Sequence, residues 1–225
     1  MLTSNNSSFR TRIKICGLTT LDESLLAANC GADSIGLVFH QKSPRFIDPG
    51  MAAEIRKSIP PFVTVTALFL NENENWVQQV VDQVQPDCLQ FHGTESEESC
   101  SHWGKPYIKA IPMGTTQDAT GYAATYKTAQ GFLMDSNVAG RQGGSGDTFD
   151  WSKIPANFRY PLILAGGLSP QNVAQSIIQT RPWAVDVSSG VESGNKTTSG
   201  LKDETLIREF FREVHRANYQ VQSIS

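Results

Sequence analysis

The stretch RIKICGLTT at residues 12–20 alternates polar and apolar side chains and then breaks at a glycine. Read as a strand, it sends Ile13 and Ile15 to one face and Lys14 and Cys16 to the other. Gly17 ends the strand, and Thr19 or Thr20 is placed to cap a following helix. An amine and a thiol share a face whose opposite side is built for a core. What that face is for depends on what the remaining strands bring beside it.

Working outward, strand-like runs recur almost from end to end: SIGLVF (34–39), FVTVTALFL (62–70), CLQFH (88–92), YIKAI (107–111), GFLMD (131–135), PLILAG (161–166) and AVDVSS (184–189). Helical patterns lie between them, at 21–30, 52–59, 75–84, 169–179 and 204–216. The 75–84 segment places Trp76, Val77, Val80, Val81 and Val84 along one side. The fifth unit, TTQDATGYAATYKTAQ, gives only a poor helix. Strands alternating with helices predict a parallel sheet. Nearly every strand closes in Gly, Ser, Asp or His. An open sheet would gather such ends at one switch point, whereas a barrel spreads them around one face. The expected fold is therefore α/β, a (β/α)8 TIM barrel in a single domain. It covers residues 11–218, with a frayed tail over 1–10 and a C-terminal tail over 219–225.

The chain has 225 residues, 39% hydrophobic and 18% charged, with a formal net charge of −3. A general nucleic-acid binder would show a basic surplus. Four cysteines stand at 16, 30, 88 and 100 with no C-x-x-C pair, so a zinc ribbon or redox motif has no support. Scattered cysteines in a chain this long fit a reducing, cytoplasmic setting. The start, MLTSNNSSFR, lacks the apolar core of a signal peptide, and no run is long enough to span a membrane.

Several residues at the strand ends carry chemistry. Cys16 is either a buried structural thiol or, at the active face beside Lys14, which would lower its thiol pKa, a usable base or nucleophile. Lys14, pointing into a barrel, either snorkels to water at the rim or needs a partner, which Asp186 on the neighbouring last strand is placed to supply. Asp135 ends the sixth strand, either as a turn residue or as a carboxylic acid at the mouth of a semi-apolar site. Gly166 and Gly167 follow strand seven, and Ser188, Ser189 and Gly190 follow strand eight. Loops after the seventh and eighth strands of a barrel recurrently hold phosphate. Ser169 is placed to cap the next helix with Pro170 at its first position. Arg45 is placed to clamp a carboxylate or to sit solvated in its loop. Gln90 and His92 face inward at the end of strand four, where His92 can bond a substrate or serve as a structural histidine. GGSG (143–146) is a lid or a flexible connection. No cluster has metal-ligand spacing.

Taken in order, KICG (14–17), GLVFHQKSPR (36–45), LQFHG (89–93), the Asp135 strand end with GGSGDTFDW (143–151), LAGGLSPQNV (164–173) and VDVSSGVE (185–192) resemble the phosphoribosylanthranilate isomerase family of tryptophan biosynthesis. The resemblance implies an Amadori rearrangement of a phosphorylated ribosylamine without a cofactor, with no nucleic-acid or membrane partner, in a monomer or homodimer. It implies Cys16 as general base and Asp135 as general acid. Lys14, Arg45, His92 and Asp186 would contact substrate. Gly143, Gly144, Gly166, Gly167, Ser188, Ser189 and Gly190 would cradle its phosphate. Indole-glycerol-phosphate synthase and the histidine-pathway aminoaldose isomerase would share the phosphate loops, but the paired KIC and SPR signatures speak against both. A barrel that binds phosphorylated metabolites without turning them over would have no need of both Cys16 and Asp135.

Overall fold

The computed structural model describes residues 9–136, 148–194 and 200–224. Eight parallel strands close into a barrel in chain order: β1 (Arg12–Cys16), β2 (Ser34–Val38), β3 (Thr64–Phe69), β4 (Cys88–Phe91), β5 (Tyr107–Pro112), β6 (Gly131–Asp135), β7 (Leu162–Leu164) and β8 (Ala184–Val187). The helices around them are α1 (Leu21–Asn29), α2 (Pro49–Ser58), α3 (Glu74–Val84), α4 (Glu97–Ser101), α5 (Ala119–Ala124), α6 (Val173–Thr180) and α7 (Glu204–Ile224). Between β6 and β7 the described residues hold only a short 3-10 turn, Trp151–Lys153.

Alternation along the strands divides the molecule into two apolar layers. Ile13, Ile15, Ile35, Leu37, Val65, Phe69, Phe132 and Val185 belong to the large cluster between sheet and helices. The barrel interior holds a much smaller one, built from Ala110, Leu133, Ile163, Ala165 and Ala184 on the β5–β8 side. Much of the rest of the interior is polar and buried: Lys14, Thr66, Gln90, Asp135 and Asp186. On β6 and β8 the apolar residue precedes the polar one, Leu133 before Asp135 and Ala184 before Asp186, so the carboxylates lie toward the cleft at the strands' C-terminal ends.

Local chemistry fixes the ends of the elements. Thr20, not Thr19, caps α1 in a reciprocal capping box, its hydroxyl accepting from the Glu23 amide at 3.2 Å. Glu23 also accepts from the Lys202 amide at 2.6 Å, which ties the start of α1 to the segment leading into α7. On α3, Val77, Val80, Val81 and Val84 are buried as the spacing predicts, and the half-buried Trp76 donates its indole N–H to the Phe39 carbonyl at 2.8 Å.

Besides α2, which starts at Pro49 under an Asp48 cap and not at residue 52, three elements differ from the sequence reading. α6 begins at Val173, not at Pro170. The Ser169 amide and the Gly167 carbonyl are both taken by the Asn172 side chain, so residues 170–172 form a turn and Ser169 is not the cap. α4, five residues long and capped by Ser96, carries too little apolar periodicity to be seen in the sequence. α7 runs to Ile224, past the expected domain end at 218. The buried face of Phe210, Val214, Ala217 and Val221 continues the helical period to that point. Asn218 accepts from the Thr11 amide and Gln222 donates to the Phe9 carbonyl, so the last turns of α7 hold the chain entering β1.

Candidate active site

A cleft of about 730 Å³, counting space open to solvent at its mouth, lies over the C-terminal ends of the strands. Its walls come from most of the barrel: Cys16 after Lys14 on β1, Arg45 beyond β2, Gln90 and His92 at β4, Asp135 on β6, Gly166 and Gly167 after β7, Asp186 and Ser188 at β8. Val38, Leu68, Leu70 and Leu168 make its apolar part. Of the residues singled out by sequence, Cys16, Arg45, His92, Asp135, Gly166, Gly167, Asp186, Ser188 and Ser189 line this one space. Gly190 does not line it, and neither does Lys14. Gly143 and Gly144, with the rest of GGSG, lie outside the described residues.

On the β1–β8 side, closure of the barrel sets Lys14 beside Asp186 in register. The Lys14 Nζ lies 2.9 Å from Asp186 Oδ1, with both side chains buried. Burial pulls the Lys14 ammonium down, but Asp186 and Cys16 outweigh it and raise it above the ordinary lysine value. Burial pushes the Asp186 carboxyl up, and Lys14 draws it only part of the way back. Cys16, 5% exposed, is pushed up by burial and by Asp186 and pulled down by Lys14 and Lys202. The net direction is upward. This corrects the expectation that Lys14 leaves the thiol below its ordinary value: the ammonium acts in the expected sense, but removal from water is the larger effect.

On the β4–β6 side, Asp135 Oδ2 lies 3.4 Å from His92 Nε2, and Gln90 Nε2 lies 3.3 Å from His92 Nδ1. The His92–Asp135 contact is an ion-pair distance without hydrogen-bond alignment, so among the described residues His92 Nε2 has no hydrogen-bond partner, and neither does Gln90 Oε1. Gln90 is fully buried yet lines the cleft. Only one polar atom of its amide reaches His92, so the other awaits a partner.

The loops after β7 and β8 close the third side. Gly166 has φ +80°, and a Cβ there would strike the Ser136 amide at 2.5 Å, so only glycine fits this turn against the end of β6. Ser189–Val191 form a 3-10 turn directly after β8.

Arg45 is engaged within the protein. Its Nε and Nη2 donate to Glu192 at 2.6 and 3.1 Å, a bidentate pair. Lys202 Nζ joins at 2.8 Å from the same carboxylate and 3.1 Å from the Ser188 carbonyl. Burial alone would raise the Glu192 carboxyl, but Arg45 and Lys202 hold it below the usual range. Burial pulls the Lys202 amine down, and Glu192 restores it only in part. Glu192 and Lys202 were not singled out in the sequence. Glu192 stands inside VSSGVE, but nothing local marks it as the partner of an arginine 147 residues earlier.

A buried thiol and a buried carboxyl on separate strands, over one cleft closed by the turns after β7 and β8, have the placement of an enzyme site at the C-terminal face of a barrel. The family model for N-(5'-phosphoribosyl)anthranilate isomerase matches residues 13–213. The N-(5'-phosphoribosyl)anthranilate isomerase of Nitrosococcus oceani is 47% identical over 209 residues, covering 93% of this chain and 100% of that one. The crystal structure of phosphoribosyl anthranilate isomerase from Thermotoga maritima superposes with a TM-score of 0.80 at 36% identity, over 92% of this chain and 99% of that one. A structure of such an isomerase in complex with reduced 1-(o-carboxyphenylamino)-1-deoxyribulose 5-phosphate superposes with a TM-score of 0.77 at 35% identity, over the same shares. The chain belongs to the N-(5'-phosphoribosyl)anthranilate isomerase family.

Proposed function

We propose that the chain isomerises N-(5'-phosphoribosyl)anthranilate to 1-(2-carboxyphenylamino)-1-deoxyribulose 5-phosphate in tryptophan biosynthesis, with Cys16 as general base and Asp135 as general acid. The observation that carries the assignment is that these two groups, from β1 and β6, face one cleft whose remaining wall is the pair of glycine-rich loops. Asp135 gives its proton to the ribose ring oxygen as the bond from that oxygen to C1 breaks. The amine lone pair forms the C1–N double bond of an iminium. Cys16, as thiolate, takes the proton from C2, and the C–H electrons form the C1–C2 double bond of an enolamine. Proton return at C1, with loss of the C2 hydroxyl proton, leaves the aminoketone. The iminium acidifies C2–H, so a thiolate is a sufficient base. General acid and general base terms of roughly 10²–10⁴-fold each are the scale expected.

The turns at Gly166–Gly167 and Ser188–Gly190 would hold the phosphate and so keep C2 against Cys16. The apolar walls at Val38, Leu68 and Leu70 suit the aromatic ring. The orphaned Gln90 and His92 atoms suit the sugar hydroxyls, which supports His92 as a substrate contact and adds Gln90. For Arg45 to clamp the anthranilate carboxylate, the ligand must share its fork with Glu192 or displace it. The reading includes a small-molecule substrate, a monomer or homodimer, and a cytoplasmic site of action. Among the described residues no helix is long and apolar enough to cross a membrane.

The test is to form phosphoribosylanthranilate in place and assay isomerisation and decarboxylating ring closure side by side. Loss of substrate fluorescence with the aminoketone as product supports the reading. Ring closure, or ligand binding without product, contradicts it.

A further inference from the structure

Lys14 sits below the cleft, two residues before Cys16 on the same face of β1, and does not line the space a substrate would fill. Among the described residues its only hydrogen-bonded carboxylate is Asp186. Across from Cys16 on β2 stands Gly36, in register with it. A Cβ built on Gly36 would lie 2.7 Å from the Cys16 sulfur and 2.9 Å from the Lys14 Nζ. Both atoms therefore converge on the one volume that the missing side chain leaves open. Real Cβ contacts are not that short, so any other residue here would displace the amine, the sulfur or both.

We propose that Lys14 and Gly36 are positioning residues for the base: Gly36 leaves the gap in which the Lys14 ammonium, anchored by Asp186, meets the Cys16 sulfur, so that the thiolate forms against a fixed cation. This rests on the reading of Cys16 as general base. It assigns Lys14 to the sulfur and not to the substrate. A cation fixed within a few ångströms of a thiol favours the charged form, by about 1–3 units for comparable ionisable pairs. The other charged groups near the sulfur are Asp186 on β8 and Lys202 before α7, with Asp135 on β6 and His92 on β4 acting on Asp186. Cys88, next along the interior from Gln90 on β4, feels the same ammonium but has no hydrogen bond from it, and burial pushes its thiol up to about 12.

The test is a thiolate titration by ultraviolet absorbance on the ligand-free protein, taken as the difference from a Cys16→Ser variant so that only Cys16 is read. In Lys14→Gln, the midpoint for Cys16 should rise by about one unit or more. Turnover at neutral pH should fall about tenfold or more and recover as pH rises, with KM little changed. Gly36→Ala, which keeps every charge, should move the midpoint in the same direction. It decides the matter if Lys14→Gln does not fold by circular dichroism. An unmoved midpoint in a folded variant overturns the proposal, as does a raised KM with the titration unchanged, which would return Lys14 to substrate binding. Because the titration needs no substrate, its outcome stands apart from whether the isomerisation itself is observed.

Discussion

The two walls that carry the proposed base and acid are finished to different degrees. On the β1–β8 wall the charged groups are matched: Lys14 pairs with Asp186, and Lys202 and Arg45 share Glu192. On the β4–β6 wall, Gln90 Oε1 and His92 Nε2 are buried with no hydrogen bond among the described residues. Leaving a buried polar atom unpaired costs about 1–3 kcal/mol, so a wall that carries two is built for something that pairs with them. In the proposed mechanism the base is set by the protein's own charges, whereas Gln90 and His92 beside the acid keep polar atoms for a ligand. That division suits a rearrangement in which the acid must meet a sugar oxygen and the base must already be poised beside a carbon.

The largest effect should come from the acid itself. Asp135→Asn keeps the shape but cannot donate an acidic proton, and kcat should fall by roughly 10²–10⁴-fold while the variant still binds the product. Retained turnover would shift the acid to another group and erase the contrast between the walls. Next, Gln90→Leu removes the unpaired amide. If the amide meets a substrate hydroxyl, KM should rise about tenfold, the scale of one hydrogen bond of about 1.5 kcal/mol. Unfolding by denaturant should show no loss beyond about 1 kcal/mol, since the ligand-free protein gains little from a half-satisfied amide. A large stability loss with KM unmoved would make Gln90 structural.

The smallest effect belongs to the matched wall and is read in stability. The Glu192 carboxyl is held below its ordinary value of 4.5 once Arg45 and Lys202 outweigh burial. A lowered carboxyl contributes stability that is present above the ordinary value and is lost as pH falls through the folded one. Thermal unfolding should therefore show a loss of about 1 kcal/mol below that point, and Glu192→Gln should remove that part of the acid dependence. An acid limb that is the same in Glu192→Gln would mean that the Arg45–Glu192–Lys202 network adds nothing to the ground state.

What could be read in advance follows from which information is local. The strands were legible because alternation is a property of neighbours, and RIKIC at 12–16 and GFLMD at 131–135 match β1 and β6 residue for residue. The Lys14–Asp186 pair was legible because closing a barrel puts the last strand beside the first. The start of α6 was not, since it depends on Asn172 turning back to Ser169 and Gly167. The Arg45–Glu192 pair was not, because it joins loops after β2 and β8 that meet only in the folded barrel. Gly36 was hidden in SIGLVF as one more strand residue: its value lies in the β1–β2 register, which places the absent side chain over a sulfur and an amine.

The central claim is that the buried thiol at the end of β1 takes the substrate proton. Phosphoribosylanthranilate formed in place, with loss of its fluorescence followed for the wild type and for Cys16→Ala, tests it most directly. The account predicts rapid loss with the wild type and almost none with a folded Cys16→Ala variant that still binds product. Near-normal loss with Cys16→Ala would contradict it.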